Sequence, residues 1–197
     1  MITMEQELHN QGLRYIAGVD EAGRGPLAGP VFAAAVIMEE DKYIPDIKDS
    51  KKLSEKKREE VYEYIIHNAV SYAICSVDEG VIDEINILNA TFRAMLGAVE
   101  GLDVMPDYVL VDGNRSKGLT LPHECVVKGD AKVACIAAAS ILAKVSRDRF
   151  ICECDGKYPG YGFAKHKGYG TKVHIEAIKE LGLCPIHRKT FCTKFTE

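Results

Sequence analysis

The chain contains no tryptophan, and nowhere does it offer the roughly 20 consecutive apolar residues that a membrane-spanning helix requires. Its opening, MITMEQELHN, has neither a basic nor an apolar region of the kind found in a secretory leader, so a cytoplasmic location is expected. The seven cysteines (Cys75, Cys125, Cys135, Cys152, Cys154, Cys184 and Cys192) form an odd set without a CxxC pair. That usage argues against a zinc site or a disulfide scaffold, and the lone CxC at Cys152 and Cys154 reads as helix packing. GxGxxG and GxxxxGK are both missing, which removes the usual support for a dinucleotide or Walker-type phosphate site. There are no repeats, low-complexity segments or long linkers.

Basic charge is also in short supply, since the formal net charge is -4. That balance argues weakly against a nucleic-acid partner, but it hides an asymmetry. Residues 76 to 112 hold eight acids and one base, whereas residues 157 to 197 hold eight bases and three acids. A basic footprint is therefore available at the C-terminal end, together with Lys48, Lys51, Lys52, Lys56, Lys57 and Arg58. With 47% hydrophobic and 27% charged residues over 197 positions, one ordinary domain with a real core is expected.

YIAGVD (15 to 20) and VFAAAVIM (31 to 38) read as buried strands joined by a glycine-rich loop. Ser54 suits an N-cap for a helix to about Asn68, with a strand near 71 to 76 and a helix near 88 to 100 after it. DYVLVD (107 to 112) has the Val and Leu run of a central strand, and ECVVK (124 to 128) reads as another. Asp130 can cap the long helical pattern that follows, and Thr171 can cap a helix that stops at Gly182. The alternation predicts an α/β fold, a mixed sheet flanked by helices.

Asp20 and Glu21 are adjacent acids where an apolar strand gives way to a glycine loop, a usual place for a site in an open α/β sheet. Alone, they could be a solvated turn. Asp112 ends a second apolar strand in the same way, ahead of Gly113 and Asn114, and Asp130 stands at a helix mouth, where capping could be its whole role. If the four converge, their repulsion calls for one or two hard cations such as Mg²⁺ or Mn²⁺. Two ions about 4 Å apart would suit phosphodiester hydrolysis. Spacing alone leaves open whether they meet.

The loop from Gly23 through Arg24 and Gly25 to Gly29 could let backbone amides approach a hydroxyl or phosphate, or could simply be a tight connection. Asp49-Ser50-Lys51-Lys52-Leu53-Ser54 precedes a helix start, which favours phosphate but is equally a solvated cap. Phe163 to Thr171 interleaves Lys165, His166, Lys167 and Tyr169, a mixture suited to backbone neutralisation and stacking, or to an ordinary loop. Ser140, Lys144 and Asp148 share one helix face, where the last two read as a structural pair. His166 and His174 are not read as ligands, and His187 and Arg188 could meet phosphate but lie too close to the chain end to place.

Taken together, GVDEAGRGPLAGPV (18 to 31), DSKKLS (49 to 54), VLVDGN (109 to 114), VKGDAK (127 to 132), AAASILAKVSRDR (137 to 149), HKGYGT (166 to 171) and PIHRKTF (185 to 191) closely resemble ribonuclease HII. The resemblance runs from about Tyr15 to Phe191, in family order and with no motif residue replaced. It implies a ribonuclease H-like mixed sheet with a small helical C-terminal portion: a catalytic core of about 14–158 and a substrate-binding portion of about 159–197. It implies Asp20, Glu21, Asp112 and Asp130 as catalytic carboxylates holding two divalent cations, Mn²⁺ or Mg²⁺. Gly23, Arg24 and Gly25 match the motif that senses a 2′-hydroxyl, Tyr169 the tyrosine that packs on the following deoxyribose, and Ser50 and Lys51 a segment near the nucleic-acid backbone.

The implied activity is endonucleolytic cleavage of the RNA strand of RNA/DNA hybrids, and 5′ of ribonucleotides embedded in duplex DNA, leaving 3′-hydroxyl and 5′-phosphate ends. A monomer without an N-terminal substrate-binding extension is expected. An exonuclease or strand-transfer enzyme of the same fold would not need to read a 2′-hydroxyl. A hybrid-binding module would be expected to have lost a carboxylate. A metal-binding interaction protein would leave the basic segments without a use.

Overall fold

A computed structural model describes residues 3–39, 47 and 53–196. Its centre is a five-stranded sheet in the order β3-β2-β1-β4-β5. Strand β1 (Ile16–Ala22) pairs antiparallel with β2 (Val31–Met38), which pairs antiparallel with β3 (Ala69–Val77). On its other side β1 runs parallel to β4 (Tyr108–Asp112), and β4 parallel to β5 (His123–Val126). The sheet is therefore mixed, as the alternating sequence pattern predicts, and β1 and β4 lie side by side at its centre.

Both central strands are buried on two faces, which explains their unbroken apolar runs. On one face Ala17, Val19, Ala33, Ala35, Val109 and Val111 pack with helix α3 (Glu79–Glu100). On the other, Ala34 and Val36 meet helices α2 (Glu55–Asn68) and α4 (Ala134–Lys157) through Ile65, Ala138, Ile141 and Leu142. Gly18 permits this close approach: a Cβ at that position would stand 2.1 Å from the Cys135 carbonyl carbon, so no other residue fits under α4. A third cluster, built on Leu27, Ala28, Ile151, Phe163, Ile178 and Ile186, docks the C-terminal portion onto the glycine loop. That portion contains α5 (Phe163–His166), α6 (Lys172–Leu181) and α7 (Lys189–Cys192).

Two expected boundaries differ, each for a local reason. The helix anticipated near 88 to 100 starts at Glu79, where Asp78 caps it. Asn86 interrupts it at φ 67 and re-caps the following turn by accepting from the Leu88 and Asn89 amides. Strand β5 stops at Val126, because Lys128 adopts a left-handed conformation (φ 56) and opens a short 3₁₀ turn, Gly129–Ala131.

Asp130 does not cap the long helix. Its N-cap is Val133, and the cap comes from helix α1 (Met4–Asn10), whose Glu5 carboxylate accepts from the Ala134 and Cys135 amides at 3.1 and 2.9 Å. An acid at a helix N-terminus complements both the unpaired amides and the helix dipole. The Ser54 and Thr171 caps are as expected, accepting from Lys57 and His174 amides. No helix among the described residues is long and apolar enough to cross a membrane.

Candidate metal centre and nucleic-acid interface

The parallel register places Val19 beside Val111, so Asp20 and Asp112 emerge together at the C-terminal ends of adjacent strands, with Glu21 next along β1. One carboxylate oxygen from each of Asp20, Glu21 and Asp112 lies within 4.8 Å of the others. Each is held in place. Asp20 accepts from the Glu21 amide at 2.7 Å and from the Ser140 hydroxyl of α4. Asp112 Oδ1 accepts from the Gly129 amide at 2.7 Å and the Asp130 amide at 3.4 Å, and Arg24 reaches Glu21 at 3.3 Å.

Asp130 is buried on the 3₁₀ turn beside the trio but outside its 4.8 Å grouping, and it lines a small cavity with Thr3, Glu5 and Val133. The structure thus brings three of the four acids together. It links the fourth to them through the turn amides that bind Asp112.

Burial pushes the Asp20 carboxyl well above its ordinary range; the Glu21 and Asp112 charges push the same way, and the hydrogen bonds from Ser140 and the Glu21 amide oppose them. Glu21 is raised as well, first by burial and then by Asp112, against the pull of Arg24. Three crowded carboxylates, one nearly inaccessible, form a donor set whose charge Arg24, paired with Glu21, offsets only in part. A hard divalent cation with oxygen ligands fits it.

Beside the trio lies a cavity of about 410 Å³, lined by Glu21, Gly23, Arg24, Gly25, Arg58, Ser140, Lys144, Arg147 and Tyr169. The glycine loop and Tyr169, separated by more than 140 positions in sequence, meet here. A Cβ on Gly25 would sit 3.7 Å from the Tyr169 ring, and Tyr169 itself is 45% exposed, an open aromatic face. Gly23 takes φ +95, and a Cβ there would collide with the Arg147 side chain at 2.1 Å. Lys144 is paired with Asp148 at 2.7 Å, as the helix spacing suggested, while still lining the cavity. Ser50 and Lys51 lie outside the described residues.

A histidine chain holds Tyr169 from behind. The Cys184 amide donates to His187 Nδ1 (2.9 Å), His187 and His174 share an Nε2–Nε2 hydrogen bond (3.1 Å), and His174 Nδ1 bonds the Tyr169 carbonyl (2.9 Å). One neutral assignment satisfies every link, with protons on His187 Nε2 and His174 Nδ1. His166 stacks on His174 at 4.4 Å and accepts the Gly168 amide. These rings are spent on structure, hydrogen-bonded within the C-terminal portion.

The residue-level reading had no role for Arg147 or Glu5, and Arg188, read there as able to meet phosphate, is instead wholly buried among backbone carbonyls. The available signal for Arg147 was its spacing, since Ala143, Arg147 and Ile151 form a single buried stripe along α4. An arginine in such a stripe needs many acceptors nearby.

The ribonuclease HII family model matches residues 17–194. The chain belongs to the ribonuclease HII family. It is 57% identical to a ribonuclease HII from Caldicellulosiruptor saccharolyticus over 188 residues, covering 95% of this chain and 92% of that one. Among solved structures, ribonuclease H2 from Pyrococcus horikoshii OT3 superposes with a TM-score of 0.77 at 29% identity, over 92% of this chain and 97% of that one. The RNase HII of Archaeoglobus fulgidus, solved in complex with PCNA, gives 0.73 at 27% identity with the same coverages. Ribonuclease HII is a metal-dependent hydrolase with ribonuclease H activity, and the carboxylate trio is a donor set of the kind such chemistry uses.

Proposed function

We propose that this ribonuclease HII nicks the RNA strand of RNA/DNA hybrids, and DNA duplexes on the 5′ side of single embedded ribonucleotides, leaving 3′-hydroxyl and 5′-phosphate ends. The observation that carries this reading is the shared wall: Glu21 of the acidic trio, the glycine loop and Tyr169 line one cavity. A scissile phosphate beside the acids would have its sugar within reach of the loop.

Asp20, Glu21 and Asp112 would hold a divalent cation, Mn²⁺ or Mg²⁺, with Asp130 completing the site for a second. Bound there, the ions supply an activated water and neutralise charge on the leaving oxygen. The chain's own residues do the rest. The backbone of Gly23, Arg24 and Gly25 reads the 2′-hydroxyl, which tells RNA from DNA at one position. Tyr169 packs on the next sugar, so a deoxyribose there marks the junction. Arg58, Lys144 and the exposed Lys165 and Lys172 offset backbone charge, with Ser50 and Lys51 assigned to the same task.

The catalytic core is residues 14–158, and 159–197 carry substrate contacts. The enzyme acts as a cytoplasmic monomer. The test is cleavage of a duplex bearing one ribonucleotide, with Mg²⁺, with Mn²⁺ and with chelator, and mapping of both product ends. A metal-dependent cut 5′ of the ribonucleotide is expected. Cleavage only within long hybrids, or 3′ of the ribonucleotide, would overturn the substrate reading.

A further inference from the structure

Two arginines are almost wholly buried behind the glycine loop: Arg147 is 1% exposed and Arg188 0%. Neither forms an ion pair among the described residues. Their forks are spent on backbone carbonyls instead. Arg188 donates through Nη2 to Gly23 (2.6 Å), through Nη1 to Arg24 (3.0 Å), and through Nε and Nη2 to Gly29 (2.9 and 2.6 Å). Arg147 donates to Ala28 (3.0 Å), Pro30 (3.2 Å) and Lys167 (3.1 Å).

A buried guanidinium without a carboxylate is costly, and the cost shows. Burial and the neighbouring Arg147 bring Arg188 down to about 10, against the pull of Glu79 and Asp83. An apolar side chain would leave these buried carbonyls without donors, so the fork serves to satisfy them and, with that, to fix where they point. The effect is visible in the peptide planes. In a planar trans peptide the carbonyl of one residue and the amide of the next point in opposite directions. Every peptide bond described here is trans. With the Gly23 and Arg24 carbonyls both drawn back to Arg188, the amides of Arg24 and Gly25 are turned away from it. Gly23, Arg24 and Gly25 line the cavity, and Arg188 does not, so that direction is the cavity side.

We propose that Arg188 is a positioning residue for ribonucleotide selectivity: it fixes the carbonyls of Gly23 and Arg24 so that the next amides face the sugar in the cavity. The inference rests on the loop's reading of the 2′-hydroxyl proposed above. The C-terminal segment is built to present this side chain. Arg188's own amide donates to Leu27 (2.9 Å), Gly29 donates to Ile186 (2.8 Å), and Lys189 and Thr190 bind Asp83 of α3. Selectivity at the loop thus depends on a residue far along the chain that never meets substrate.

The test compares wild type, Arg188→Met and Arg188→Lys in binding two duplexes, one all DNA and one with a single ribonucleotide. Fluorescence anisotropy is read with Ca²⁺ replacing Mg²⁺, and melting curves report on the fold. Wild type should prefer the ribonucleotide duplex. Arg188→Met should lose about tenfold of that preference, the scale of one or two well-placed hydrogen bonds, with affinity for plain DNA unchanged. Arg188→Lys keeps the charge but not the fork, and should lose part of the preference. An unchanged preference in either folded variant, or an equal fall in affinity for both duplexes, overturns the proposal. If Arg188→Met does not fold, the result with Arg188→Lys decides by the same criterion. A wild type that binds both duplexes alike overturns the 2′-hydroxyl reading, and this inference with it.

Discussion

Two halves of the site flank one cavity and solve opposite electrostatic problems. At the strand ends, Asp20, Glu21 and Asp112 crowd negative charge that Arg24, paired with Glu21, offsets only in part among the described residues, and burial together with mutual repulsion raises Asp20 and Glu21. Behind the glycine loop, Arg147 and Arg188 bury positive charge among carbonyls that satisfy it. The acidic half is a donor set that a cation from outside would complete. The basic half is complete by itself and gives the loop its shape. Chemistry and selectivity are therefore separable, and substitutions should break one without the other.

The largest effect is expected at the acidic half. Asp112→Asn keeps the acceptor for the Gly129 amide but loses an anionic ligand, and cleavage should fall by roughly a thousandfold, about 4 kcal/mol of transition-state stabilisation, with binding of duplex retained. Steady-state rates and a binding curve check both parts. Tyr169→Ala should cost about tenfold on a lone ribonucleotide and less within a long hybrid, since packing on deoxyribose matters only at a junction. The comparison is a ratio of rates on the two substrates.

Acid should next loosen the C-terminal portion. Burial, with the neighbouring His166 and His187 adding to it, brings His174 down to about 4 against the hydrogen bond to Tyr169. An unfolded histidine takes up its proton near 6.5 and the folded one only far lower. The unfolded state therefore binds more protons in that window, and this contribution to stability falls as pH drops from about 6.5 toward 4. Melting scans should show the loss, and proton NMR should find His174 still neutral at pH 5. The smallest effect is at Glu5: Glu5→Ala removes the cap of α4 and should cost about 1 kcal/mol in a denaturant titration, with cleavage kinetics unchanged.

Strands β1, β2 and β4 were legible in the sequence because two-sided burial writes continuous apolar runs, and the acids stood out where those runs end. The pairing of β1 with β4 was not legible, since convergence of Asp20 and Asp112 depends on strand order rather than on any local pattern. Asp130 misled for a related reason. An acid before a helical pattern reads as its cap, but the left-handed Lys128 starts a separate turn, and Glu5, about 130 residues away, caps α4 instead. Arg188 was read as able to meet phosphate, and its buried role escaped because its partners are backbone carbonyls, which leave no trace in side-chain patterns.

The central contrast, an acidic edge incomplete without a cation, is tested most directly by the melting temperature of the protein alone, in chelator and then in rising Mn²⁺, for wild type and Asp20→Asn. In chelator, Asp20→Asn should melt above wild type, because it removes a buried charge repelled by its neighbours; Mn²⁺ should then raise wild type and leave the variant nearly unmoved. A wild type indifferent to millimolar Mn²⁺, or a variant less stable than wild type in chelator, would contradict the account.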